Sequence, residues 1–115
     1  MRRGEIRVVN LEPVHGAEAS TTRPAVIVSN DGANTAATRL GGGVVTVVPV
    51  TSNVDRIYPF QVLLKAVDTG LQRDSKAQAE QVRSVAVERI GTRVAVVPPS
   101  VMAQLDEALR LHLSL

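Results

Sequence analysis

The stretch TTRPAVIVSN, residues 21–30, sets Arg23 directly before a proline and four apolar residues, Ala25 to Val28. Such a run is built to be buried, so the guanidinium at its entrance sits at the rim of a core. An arginine there offers a planar fork of donors and a permanent positive charge, which suits gripping an anion at the mouth of a site. It equally suits capping a strand edge in solvent, and the stretch alone leaves both readings open. Other reactive side chains are scarce. The chain has no cysteine, hence no thiol nucleophile, no disulfide frame and no zinc-finger spacing. Its two histidines, His15 and His112, lie far apart in different kinds of segment, so no metal site is expected.

The elements that must position these residues fit one domain over residues 1–115, a length that supports one hydrophobic core. The start, MRRGEIRVVN, lacks the long apolar stretch of a signal peptide. No apolar run approaches the roughly 18 residues of a membrane span, so a soluble, cytoplasmic protein is expected. Net charge is +2, with 13 cations scattered among 11 carboxylates. Bulk attraction cannot hold nucleic acid on such a chain; cations must be gathered locally or doubled by dimerising. Tyr58 and Phe60 are the only aromatics, which excludes a stacking ladder of the RRM or OB-fold kind.

Twenty valines favour sheet. Residues 5–11 alternate Ile6 and Val8 against Glu5 and Arg7, predicting a half-buried strand. Residues 12–22 read as a loop and 24–30 as a second strand. Residues 31–43 are turn-rich, with room for one helical turn. Residues 44–53 form a third, fully apolar strand, with Pro49 placing its end near an edge or bulge. A fourth strand is predicted over 58–67, one or two more over 71–87, and a short one over 93–97. From Pro99 the period changes to 3.6, with Val101, Met102, Leu105, Ala108, Leu109 and His112/Leu113 on one stripe. Pro99 suits the first helical position, a capping side chain is missing, and Asp106 and Arg110 stand at i,i+4. Short strands closed by one helix predict a mainly β (α+β) fold, a small barrel with a C-terminal helix packed on it.

The order RRGEI, GAE…TRPAVIVSN, VVPVTSN, YPFQV, AEQVRSV and LDEALRLHL resembles the MazF/PemK/Kid toxins of bacterial toxin–antitoxin modules, and actinobacterial MazF proteins in particular. The resemblance is continuous from Arg2 to Leu113. It implies an SH3-like barrel of about five to seven strands. It implies a homodimeric, sequence-specific, metal-independent endoribonuclease of single-stranded RNA, needing no cofactor and silenced by a MazE-type antitoxin. By the same resemblance Arg23 and Thr51 are the catalytic pair and Glu18 is a candidate catalytic helper. RNA carries its own nucleophile, the 2′-OH, so the protein must hold the phosphate in line and stabilise charge on its non-bridging oxygens. The resemblance further implies RNA contacts from Glu5, His15, Gly16 and Ala17 in the first part of the chain. Ser52, Asn53, Arg56, Tyr58, Gln81 and Arg83 complete that set.

The chain departs from the family at several of these places. Some members carry a histidine in the first loop and an Arg-x-Asp pair on the late strand; here those positions are Ala17, Gln78 and Glu80, so that scheme of proton transfer is absent. Glu80 and Arg83 alternatively form a structural ion pair. Arg7 stands where an aromatic is usual and Asn10 where an aspartate is frequent, and Arg7 either extends an RNA groove or is solvated. Arg56 and Tyr58 are placed to bind and stack an unpaired base, although Tyr58 reads equally as half core. The alternative function is a non-nuclease toxin of the same fold that binds a protein such as DNA gyrase, or an inactive paralogue. The gyrase-binding CcdB-type toxins depend on a C-terminal tryptophan, whereas this chain ends LHLSL and has no tryptophan.

Overall fold

The computed structural model describes residues 1–11 and 22–115. Seven strands alternate with short helices: β1 (Glu5–Asn10), β2 (Thr22–Ile27), α1 (Asp31–Leu40), β3 (Val44–Thr51), β4 (Gln61–Leu64), α2 (Ala66–Thr69), β5 (Ser75–Gln78), β6 (Arg83–Ala86), β7 (Ile90–Val96) and α3 (Pro99–Leu113). All pairings are antiparallel, in the order β4-β5-β3-β2-β1-β7, with β6 also on β3. Seven strands and a C-terminal helix are the architecture expected from the sequence. Among the described residues no helix is long and apolar enough to cross a membrane.

β3 explains why so many valines run together. Val48 and Val50 point into a core shared with Ile6, Val26, Leu64 and, from α3, Met102, Leu105 and Ala108. Val45 and Val47 point the other way, into a core shared with Val9, Ala25, Ile27, Val85 and, from α1, Ala37. A strand covered on both faces reads as a continuous apolar run instead of an alternating one. Pro49 is not at the end of this strand. It pairs with Ala25 of β2, and on the other side it falls between the last β6 partner, at Val47, and the first β5 partner, at Val50. A residue without an N–H is tolerated where the ladder changes neighbour.

Three local expectations are corrected. Residues 31–40 form a full helix, α1, where one turn was expected. Its sequence, DGANTAATRL, has weak helix formers, and tertiary contacts override them: the Asn30 side chain caps Ala33 N at 2.8 Å, and fully buried Asn34 bonds to Ser29 through both chain and side-chain atoms. Gly43 lets the helix close on the sheet, because a Cβ there would lie 2.7 Å from Ala37 Cα. The fourth strand shrinks to Gln61–Leu64, because Gln61 N donates to Tyr58 O at 2.8 Å and closes a turn over Pro59. The second strand begins at Thr22, so Arg23 lies within it, paired with Val9.

The C-terminal helix starts at Pro99 as expected, without a side-chain cap. Its start is fixed instead by the backbone: Val101 N and Met102 N both donate to Pro98 O, and Val97 N donates to Gly4 O. The Asp106–Arg110 pair does not form. Asp106 accepts from Arg3 Nη2 at 2.6 Å, tying α3 to the N-terminus, and Arg110 turns to Glu107 at 2.6 Å. Nor does Glu80 pair with Arg83: Glu80 accepts from Gln61 Nε2 at 2.8 Å and Arg83 donates to Leu11 O at 3.2 Å. Arg7 is neither in a groove nor solvated, but half-buried between Glu5 and Gly91 O.

Candidate active site

Arg23 is held by the strands beside it. Its Nη2 donates to Val50 O of β3 at 3.3 Å and to the Gln78 side-chain oxygen at 3.1 Å, so the side chain lies across β3 towards the end of β5. The antiparallel β2–β3 ladder runs from Ile27–Val47 to Ala25–Pro49, so the start of β2, with Arg23, and the end of β3, with Thr51, lie at the same end of the pair. Thr51 Oγ1 accepts from Asn53 N at 3.3 Å, which leaves the hydroxyl hydrogen to donate elsewhere.

Both side chains line a cleft of about 700 Å³. Val8, Arg23, Pro24, Val50, Thr51, Ser52 and Val94 form one part of its wall. The segment Gly70–Arg73, with Ser75, forms another part. Gly70 gives that wall its turn: it ends α2 at φ +89°, a conformation glycine takes without strain. Among the described residues the two charged side chains of the cleft are both arginines, and none of its lining is a carboxylate. An anion entering it meets positive charge and donors from both segments.

The remaining candidates divide by position. Ser52 and Asn53 are exposed in the loop that leaves β3, and Asn53 shapes it by accepting from Asp55 N at 3.2 Å. Further along, Arg56 Cζ lies 5.1 Å from the Tyr58 ring centroid, and that ring stacks on Phe60 at 5.3 Å. Tyr58 is 41% exposed, a surface aromatic and not half core. Lys76, only 8% exposed, donates to Arg56 O at 2.6 Å and pins this loop from beneath. Gln81 and Arg83 lie outside the cleft lining, as does Glu5. His15, Gly16, Ala17 and Glu18 lie outside the described residues.

Glu5 is engaged elsewhere. Burial would raise its pKa, but the bonds from Arg7 Nε and Arg2 N, with the charge of Arg7, outweigh it and hold the carboxyl below its ordinary value. Sequence reasoning missed Gln78 as the acceptor that orients Arg23, and missed the whole Gly70–Arg73 wall. Gln78 stood out only as a departure from an acid–base scheme, and the wall's one signal was a glycine after a short helix. Among the described residues no group of three or more His, Cys, Asp or Glu is placed to hold a metal ion.

A family model described as a PemK-like, MazF-like toxin of type II toxin–antitoxin systems matches residues 2–113. Endoribonuclease MazF9 of Mycobacterium tuberculosis is 64% identical over 115 residues, spanning 100% of this chain and 98% of that protein. The crystal structure of MazF (Form-I) from Deinococcus radiodurans has a TM-score of 0.78 at 28% identity, covering 100% of this chain and 97% of that one. The MazE–MazF crystal structure (Form-II) from the same organism has a TM-score of 0.78 at 27% identity, covering 100% and 96%. The arginine-bearing strand, the threonine at the end of β3 and the closing helix thus fall inside one unbroken family match, and the chain belongs to the PemK-like, MazF-like toxins of type II toxin–antitoxin systems.

Proposed function

We propose that this chain, as one toxin domain over residues 1–115, is a sequence-specific, metal-independent endoribonuclease of single-stranded RNA that arrests translation and growth in the cytoplasm. The observation that carries the reading is the meeting of Arg23 and Thr51 in one cleft whose described lining holds a second arginine and no carboxylate. The 64%-identical relative is named an endoribonuclease, which supports it. The chemistry needs no nucleophile from the protein. The 2′-oxygen of the substrate bonds to phosphorus, the bond from phosphorus to the 5′-oxygen breaks, the 2′-OH gives up its proton and the leaving oxygen gains one. The products are a 2′,3′-cyclic phosphate and a 5′-OH. Arg23 and the Thr51 hydroxyl donate to the non-bridging oxygens as charge grows there, and Gln78 keeps the guanidinium in place. Glu18, which precedes β2 in the sequence, is the candidate for the proton transfers. Bases next to the cut are read by the loop of Ser52, Asn53, Arg56 and Tyr58.

The active form is a homodimer. α3 leaves Leu111 and Leu113 57% and 49% exposed, and β7 exposes Val94 and Val96, apolar surface that a second copy would cover. A MazE-type antitoxin lays an acidic segment over the positive cleft, in keeping with the MazE–MazF assembly of the Deinococcus radiodurans relative. The test is a long single-stranded RNA incubated with the purified protein in excess EDTA, with fragment ends mapped. Discrete cuts with 5′-OH ends are expected. Intact RNA across all short sequence contexts would overturn the reading and direct attention to a protein target such as gyrase.

A further inference from the structure

The cleavage step uses one arginine, yet the cleft holds two. Arg73 lines the same cleft as Arg23 and Thr51 but comes from a different segment, between Gln72 and Asp74. Its neighbouring carboxylate is committed elsewhere: Asp74 Oδ1 accepts from Ala66 N at 2.8 Å. None of the ion pairs among the described residues includes Arg73, although Arg2, Arg3, Arg7, Arg93 and Arg110 all have one. The segment that presents it is fixed at both ends. Gly70 N donates to Ala66 O at 2.9 Å, and the Ser75 hydroxyl donates to Arg73 O at 3.1 Å. A cation without an ion pair among the described residues, on a pinned turn lining a cleft with no described carboxylate, is a site for an anion.

The size of the cleft decides which anion. About 700 Å³ lies within the roughly 300–1,000 Å³ that takes a drug-sized ligand. That is more room than one phosphate needs, and the two arginines reach the cleft from separate segments, β2 and the turn after α2. Resting on the reading of this cleft as an RNA-cleaving site, we infer that Arg73 binds a second phosphate of the same strand, one flanking the scissile phosphate held by Arg23. Its role is to seat the strand in register. It touches substrate without touching the reacting atoms, so its loss weakens binding and leaves the chemical step intact. This also answers the charge problem of a chain with net charge +2: the cations RNA needs are gathered in one cleft.

The experiment measures binding of an oligoribonucleotide spanning the mapped cut site, made uncleavable by a 2′-deoxy substitution at that nucleotide, as NaCl is raised. For Arg73→Gln the plot of log affinity against log salt is expected to become shallower by about 0.7, the share of one phosphate on a single strand. Affinity should fall about tenfold at low salt, as for loss of a charged hydrogen bond. On cleavable RNA the variant should show raised KM, nearly unchanged kcat and the same cut sites, and Arg73→Lys should restore the salt slope. An unchanged slope in a variant that melts like the wild type overturns the inference. So does a loss of kcat at unchanged KM, which would place Arg73 on the scissile phosphate itself. Wild-type protein that cuts no RNA defeats the nuclease reading and this inference with it; wild-type cutting with an unaltered slope defeats this inference alone.

Discussion

Arg23 has two neighbours that matter in opposite ways. Val50 O is backbone and comes with the fold, whereas Gln78 is a side chain and can be removed without disturbing the ladder around it. If Gln78 positions the guanidinium for the phosphate, Gln78→Leu should lower kcat by about tenfold and up to about 10²-fold, with KM little changed, since small displacements of a positioning group are costly to rate. Single-turnover cleavage rates of the variant check this; an unchanged rate would mean that β3 alone holds Arg23. Glu80, two residues on, is drawn away from the cleft by Gln61, and its Oε1 is buried without a hydrogen-bond partner. At this scale the sequence was legible where residue type and motif coincide, as at Arg23 and Thr51. Gln78 and Arg73 were illegible because nothing in a run such as GLQRDSKAQ tells which side chains a turn will face into a cleft.

Elements were legible to the extent that their burial is periodic. α3 has one covered face and reads cleanly, and β7 reads in its Val-rich second half. β1 reads as a strand but without its expected alternation: Ile6 enters one core and Val9 the other, while Val8 is only half-buried. α1 did not read as a helix because its burial is carried by Asn34 and Ala37, a polar and a small residue, and a Ser29–Asn34 bond network replaces an apolar stripe. Arg7 was misread because its partner, Gly91 O, comes from β7, 84 positions along the chain. The Glu5–Arg7 pair at 2.8 Å, with Arg93 Nη1 at 4.0 Å from Glu5, joins β1 to β7 and predicts a pH dependence. Glu5 has a pKa below its ordinary 4.5, so its contribution is complete above that value and is lost as pH falls through the lower folded-state pKa. Glu5→Gln should melt below the wild type at neutral pH, and the gap should narrow as pH falls below 4.5. A gap that stays constant over that range would show that charge at Glu5 is not what joins the strands.

For the whole molecule the question is how a chain with net charge +2 and two aromatics handles RNA. Charge is concentrated by position: among the described residues the carboxylates pair with arginines elsewhere or lie outside the cleft lining, and two arginines stand in that lining. Doubling the chain would double that cleft. The exposed leucines of α3 predict that wild-type protein elutes at twice the mass of one chain at micromolar concentration, and that Leu111→Glu shifts it towards the monomer by weakening a self-complementary apolar contact. Wild-type protein at the mass of one 12.2 kDa chain would exclude the homodimer as the active form. The overall architecture was readable because the family pattern spans the chain; the assembly depends on side chains such as Leu111 and Leu113, which the sequence shows only as surplus hydrophobicity.

The central claim is that Arg23 stabilises charge on a scissile phosphate. The most direct measurement is the single-turnover cleavage rate of Arg23→Ala beside the wild type, on RNA containing the mapped cut site, in EDTA, with both proteins melting alike. The account predicts a fall of about 10²–10³-fold at unchanged cut sites, the usual cost of one donor at a developing oxyanion. A variant that cuts at the wild-type rate would contradict it.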